Sequence, residues 1–222
     1  MVSGMINSIL VFLQRFRFKV GIDRKKFVLK HIKRNKCRNI LEIGVFNGNF
    51  AYRMLKVAKE FSPSETIKYV GVDLFASNFS SKIAESEIAL TPKHKDYVQQ
   101  HLGMLGVKID LREGWSHLVL PHLIGKEKFD LIVIDGGHSY ETVKSDFENS
   151  VSLLAEGGSI FLDDYTNKKG VLYGKFGINQ VVSEIDTFKF RVSISFNRDF
   201  FYKPYGVLVL RMVKIQQFVK FS

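Results

Sequence analysis

Four side chains stand out as able to do chemistry together. Asp135 closes the apolar run FDLIVID (129–135), two glycines follow, and His138 comes next. Asp163 and Asp164 close a second apolar run, SIFLDD (159–164). If these runs are neighbouring parallel strands, their ends lie about 5 Å apart and three carboxylates meet on one rim. Unpaired, they repel one another and resist desolvation. A hard divalent cation resolves that conflict, and oxygen ligation with room for water favours Mg2+, with Mn2+ or Ca2+ as alternatives. The competing reading is structural: Asp135 caps the helix that begins near Tyr140, and Asp163 or Asp164 merely turns the chain. Ser139 is closer to that cap position and Glu141 already serves the positive helix end, which leaves Asp135 for other work. His138, with an ordinary pKa near 6.5, suits proton removal at neutral pH or, alternatively, an orienting hydrogen bond.

Two further stretches have ligand-binding character. In LEIGVFNGNF (41–50), Gly44 lets the backbone approach a ligand and Gly48 tightens the turn. The spacing E-x-G-x-x-x-G is not the G-x-G-x-x-G of dinucleotide folds. Glu42 would repel a pyrophosphate, so a cationic ligand suits it better. Asp73 ends the run VGVD, where a carboxylate can accept hydrogen bonds from both hydroxyls of a ribose. In REGWSHLVLPHL (112–123), Gly114 and Ser116 border space for a flat ring, which Trp115 flanks unless it belongs to the core.

These residues need elements to hold them. Apolar runs at 38–45, 67–75, 107–111, 129–135 and 159–164 read as strands. Helical patterns separate them at 50–61, 96–105, 116–124 and 140–155, the last stopped by Gly157 and Gly158 as a left-handed cap requires. Strands apolar throughout, alternating with helices, imply a parallel doubly wound sheet buried on both faces. A helix over 176–185 then leads to FRVSISF and YGVLVLRMV, separated only by a loop, which should pair antiparallel. Ligands of such a sheet bind at the carboxyl ends of its strands.

Charge and cysteine content narrow the class. Of the formal net charge of +11, residues 1–40 hold +10, from eleven Lys and Arg against Asp23 alone. A near-neutral body therefore carries a basic N-terminal arm, suited to nucleic acid, an acidic membrane surface or an acidic substrate, or simply to a solvated helix face. MINSILVFL (5–13) is far shorter than the ~20 residues that span a bilayer and has no signal-peptide pattern. It reads as a helix that packs on the domain or on a partner, a second copy included, with a place in a membrane interface beside the basic residues as the alternative. The single cysteine, Cys37, excludes an internal disulfide, points to a cytoplasmic protein and reads as a core thiol.

In order, E-x-G-x-x-x-G, V-D-L-F, G-x-S-x-x-x-x-P-x-L, I-D-G-G-H-S-Y and L-D-D resemble the class I S-adenosylmethionine-dependent methyltransferases. The likeness is to the metal-dependent small-molecule and sugar O-methyltransferases of the macrolide-sugar, aminocoumarin and cephalosporin-pathway type, and covers about 38–213. It implies a Rossmann-like sheet of seven strands, five parallel plus a C-terminal antiparallel hairpin, with N-terminal helices. It implies that Glu42, Gly44 and Gly48 hold the methionine end of S-adenosylmethionine, Asp73 the ribose, and Gly114, Trp115 and Ser116 the adenine. Asp135, Asp163 and Asp164 would hold Mg2+ or another divalent cation, with Asp135 also beside the donor. Relatives place a lysine base three residues after the metal aspartate, or an aspartate base two residues after it. The second of these positions is Gly137 here, so His138 is the candidate base.

The expected organisation is a basic helical arm, 1–37, and a methyltransferase domain, 38–215. The acceptor implied is a hydroxylated small molecule, a sugar first. Specificity would lie in the N-terminal helices, the 76–93 loop and a glycine- and lysine-rich lid over 165–177, with Lys168, Lys169 and Lys175. Rivals are a metal-dependent hydrolase and a nucleic-acid methyltransferase or binding protein using the arm. The first leaves Glu42 and Asp73 unexplained. The second has no Asn/Asp-Pro-Pro-Tyr motif, and its basic residues are not interleaved with stacking aromatics.

Overall fold

A computed structural model describes residues 23–86, 91–166, 177–203 and 206–218. The expected helix at 5–13 and the three lysines of the expected lid lie outside these residues. Seven strands form one sheet: β1 (Asn39–Ile43), β2 (Lys68–Asp73), β3 (Lys108–Glu113), β4 (Phe129–Ile134), β5 (Leu154–Tyr165), β6 (Phe190–Lys203) and β7 (Gly206–Gln217). Their order is β3-β2-β1-β4-β5-β7-β6. The first five are parallel, and β7 inserts antiparallel between β5 and β6. The order reverses between β1 and β4, where a doubly wound sheet opens a crevice at its carboxyl edge.

Both faces are buried because β1, β2, β4, β5 and β7 each offer apolar side chains to both faces. Leu41 and Ile43 join one core with Ile132 and Ile134, while Ile40 joins the other with Leu131 and Val133. Helices α1 (Lys26–Asn35), α2 (Asn49–Ala58) and α4 (Lys95–Gly103) cover the second face, and α3 (Ser81–Ser86) is a short piece beyond β2. On the first face lie α6 (Tyr140–Leu153) and α7 (Ile178–Glu184), together with the turn that continues the short α5 (Ser116–Val119). No helix among the described residues is long and apolar enough to cross a membrane.

The part of the basic arm that is described is packed against the sheet. Val28 and Ile32 of α1 are fully buried, each stabilising the docked helix by roughly 1.5–3 kcal/mol. Phe27 meets Phe161 of β5 edge-to-face, with ring centroids 5.5 Å apart. This seats the start of α1, and with it Arg24 and Lys25, over the carboxyl rim of β4 and β5. Cys37 is buried, and burial pushes its thiol up to about 12, as a core thiol requires.

One boundary differs from the sequence expectation. The helix expected to run to a Gly157–Gly158 cap ends at Leu153, and Leu154 is already extended with ψ 132. The strand register shifts between Phe129↔Leu154 and Leu131↔Ser159, so the intervening residues turn outward before the ladder resumes. Gly157 does take a left-handed φ of 72°, but within that turn. The reason is packing: Leu154 is buried beside Phe129 and draws the chain back to the sheet before the glycines are reached.

Candidate functional site

The glycine turn after β1 is held from two sides. Asp135 donates its backbone N–H to Ile43 O at 2.8 Å, which extends the β1–β4 ladder past the strand ends. A Cβ on Gly44 (φ +88°) would lie 2.2 Å from Asp135 O, so only glycine lets the turn press against that backbone. On the other side Asp73 Oδ2 accepts from Val45 N at 2.7 Å and Phe46 N at 2.9 Å, and Oδ1 accepts from Phe75 N at 2.8 Å. Asp73 therefore fixes the turn with the oxygens that the sequence reserves for a ribose. Burial raises its pKa, against the opposing pull of these amides. Gly48 takes φ +74° at the start of α2.

Glu42 points from β1 into the same corner and is 1% exposed. Its Oε2 accepts a 2.5 Å hydrogen bond from Tyr69 Oη, a partner that sequence reasoning missed. Tyr69 and Gly71 share a face of β2, and Gly71 stands opposite Glu42. A Cβ on Gly71 would come within 2.9 Å of Tyr69 Cε1, so the glycine clears a path for the ring toward Glu42. The signal was present in the alternation Y-x-G-x-D, but only the register shows its target. Burial drives the Glu42 carboxyl up to about 8, although the Tyr69 hydrogen bond and Lys25 oppose the shift. The acid is thus neutral at pH 7, and an incoming cation would favour its ionised form.

Beyond the ends of β2 and β3 lies a cleft of about 670 Å3, lined among others by Leu74, Asn78, Leu111, Gly114 and Trp115. That volume is in the range of small-molecule sites. Gly114 donates its N–H to Asp73 O at 2.9 Å, tying the cleft wall to the glycine turn. Trp115 is 37% exposed, so it belongs to the cleft rim rather than to the core. Ser116 begins α5 behind it and is not among the lining residues. These features fit an adenosyl group: a cleft with an aromatic rim, joined through Asp73 to a buried carboxyl able to receive a cationic amine.

Asp135, Asp163 and Asp164 do meet on the neighbouring rim, but with cations from the chain itself. Arg24 Nε and Nη2 reach Asp163 Oδ1 and Oδ2 at 2.5 and 3.0 Å, and Nη2 also reaches Asp164 Oδ1 at 2.7 Å. Lys25 Nζ lies 2.6 Å from Asp135 Oδ2, 3.8 Å from Asp163 Oδ2 and 4.4 Å from the Phe50 ring centroid. His138 Nε2 is 2.7 Å from Asp164 Oδ2. Asp164 takes a left-handed φ of 59°, a conformation uncommon outside glycine, and from it reaches both Arg24 and His138. Ser139 caps α6 by accepting from Thr142 N at 3.3 Å, so Asp135 does not serve as the cap.

The electrostatics follow. Burial works against ionised Asp164, yet Arg24 and His138 outweigh it and hold its carboxyl well below the usual range. Burial likewise opposes the Lys25 ammonium, and Asp135 and Asp163 overcome it, raising its pKa. For Asp135, burial dominates over Lys25 and lifts the carboxyl to about 7. The divalent ion expected at this rim does not fit the residues as they stand, because the facing carboxylate oxygens are taken by Arg24 and Lys25. Among the described residues no group of three or more His, Cys, Asp or Glu is arranged to hold a metal.

A family model described as a methyltransferase domain matches residues 41–165, more than half of the chain. No curated protein matches it in sequence. Among solved structures it is similar to the O-methyltransferase TomG from Streptomyces achromogenes, involved in tomaymycin synthesis and solved with S-adenosylmethionine. That match has 15% identity over 87% of this chain and 79% of the other, with a TM-score of 0.61. It is also similar to the O-methyltransferase from Bacillus cereus in complex with S-adenosylhomocysteine, at 16% identity over 96% and 90%, with a TM-score of 0.59. The Podospora anserina methyltransferase PaMTH1, likewise bound to S-adenosylhomocysteine, gives 16% over 88% and 78%, with a TM-score of 0.57.

Proposed function

The chain belongs to the methyltransferase-domain family and is an S-adenosylmethionine-dependent methyltransferase, and from that premise we propose that it methylates a hydroxyl group on a small molecule. The observation that carries this reading is the pairing of two half-sites on one carboxyl edge. One is a cleft whose Gly114 wall is hydrogen-bonded to Asp73 O, next to the corner that holds Glu42, and the other is an acidic rim where His138 meets Asp164. The oxygen acceptor is supported by the O-methyltransferase neighbours, TomG and the Bacillus cereus enzyme. A sugar remains the first acceptor to try. Residues 1–37 are proposed as a cap on a domain spanning 38–215, and the N-terminal helices as the contact between copies.

When bound, the cofactor supplies an electrophilic methyl group on a sulfonium. Gly114 and Trp115 flank its adenine, with Ser116 behind them. Asp73 offers the ribose whatever capacity Oδ1 retains beyond Phe75 N. Glu42, freed from its proton by an approaching ammonium, holds the methionine end beside the turn from Gly44 to Gly48. Asp164 orients the His138 ring through Nε2, at 2.7 Å. His138 is the residue that would take the proton of the acceptor hydroxyl, while the bound donor would supply the methyl group and leave as a neutral thioether. Alignment of the two half-sites supplies most of the remaining advantage.

The test uses methyl-labelled donor with a panel of hydroxylated small molecules, sugars included. Label should appear as an ether on at least one of them. His138→Ala should lower kcat by roughly 10²–10⁴ while leaving donor affinity unchanged. Label transferred only to nucleic acid, or no donor binding by calorimetry, would overturn the reading. The nucleic-acid alternative has lost part of its footing, since Arg24 and Lys25 of the basic arm point into the domain.

A further inference from the structure

The acidic rim carries an inference that deepens the reading above and rests on it. We propose that Arg24 and Lys25 take the place of the divalent cation, so that this methyltransferase works without a metal at Asp135, Asp163 and Asp164. The formal charge is the same: two unit charges from two side chains instead of one dication. Arg24 forms a two-pronged pair with Asp163 and bridges to Asp164, while Lys25 serves Asp135.

The pair is built in rather than resting loosely on the surface. Arg24 is 9% exposed and Asp163 is 4% exposed. The preceding Asp23 is tied by its carboxylate to Arg53 at 2.6 Å and by its carbonyl to Asn197 Nδ2 at 3.3 Å. The following helix is anchored through Val28 and Ile32. A metal ion entering the rim would have to expel a guanidinium from a buried bidentate pair and leave it without an acceptor. Such a separation is strongly opposed once both charges are out of water. Arginine also keeps its proton at any pH the fold survives, so this cation is removed neither by chelation nor by titration.

The experiment follows Mn2+ binding to the full-length chain by electron paramagnetic resonance, with donor binding measured in parallel by calorimetry. Wild type should bind no Mn2+ at the rim at millimolar concentration, and exhaustive chelation should leave turnover unchanged. The double variant Arg24→Gln/Lys25→Met should gain one Mn2+ per chain, with affinity improved at least about tenfold. That gain should vanish on adding Asp163→Asn. If the double variant does not fold, Lys25→Met alone, at a side chain 23% exposed, should gain weaker Mn2+ binding of the same kind. A wild-type Mn2+ site that Asp163→Asn removes would overturn the proposal. So would a folded double variant that gains no metal, or turnover lost on chelation and restored by Mg2+. If the donor fails to bind while the Mn2+ results hold, the methyltransferase reading falls and the cation assignment stands.

Discussion

Two halves of one sheet edge solve the same problem in opposite ways. Over β1, β2 and β3 the buried acids are kept uncharged or bound to backbone amides: Glu42 faces Tyr69, and Asp73 faces the glycine turn. Over β4 and β5 the acids are matched by cations of the chain itself, Arg24 and Lys25. The first half holds a buried carboxyl bonded to Tyr69 behind an open cleft, and the second is paired with cations of the chain before any ligand arrives. A sheet edge can therefore reserve one acid for a ligand and commit others to structure, and burial alone does not say which. The partner does.

The largest expected consequence concerns Glu42. The folded protein resists ionising Glu42 up to about pH 8, while the unfolded chain ionises it near 4.5. Between these values the unfolded state binds fewer protons than the native state, so stability falls as pH rises, and it levels off above about 8. The loss from this one group reaches roughly 5 kcal/mol at most. Glu42→Gln cannot ionise, so urea midpoints of this variant should lack that part of the decline between pH 5 and pH 8. Parallel declines in wild type and variant would show that Glu42 is ionised in the fold, and the contrast between the two halves would break.

The committed half gives the next largest effect. Arg24→Ala strands Asp163, whose side chain is 1% exposed, and should cost about 3–5 kcal/mol at neutral pH in urea denaturation. Lys25→Ala should cost less, because its side chain and that of Asp135 are 23% and 18% exposed. Equal losses at the two positions would mean that Arg24 is better solvated than the bidentate pair implies, and the Arg24–Asp163 pair would then be a surface feature.

Much of this architecture was legible in the chain, and the missing parts share a cause. Strands apolar on both sides declare a doubly covered sheet, and acids at their carboxyl ends declare where a site can form. The three aspartates gather because β4 and β5 are neighbours, which the alternation of elements implies. The helix end at Leu153 was misplaced because a glycine pair is a local stop signal, whereas Leu154 answers to a tertiary contact with Phe129. Tyr69 was passed over as one more apolar strand residue, since only strand register sets it across Gly71 from Glu42. Arg24 and Lys25 were hidden in a charge count. They meet acids 139 and 110 positions away, and no periodicity within a helix shows which basic side chains turn inward.

The smallest effect sharpens the open half. Trp115 is 37% exposed and sits at the cleft rim, tilted against His117 with ring centroids 5.9 Å apart. An exposed indole contributes little to the core, so Trp115→Ala should leave the urea midpoint nearly unchanged. If the ring flanks adenine, the same variant should weaken donor binding by about 0.5–1.5 kcal/mol, roughly two- to tenfold in Kd by calorimetry. Trp115→Phe keeps an aromatic face and should recover most of that loss. Lowered stability with unchanged donor affinity would place the indole in the scaffold instead, and the adenine end of the site would have to be sought elsewhere along the edge.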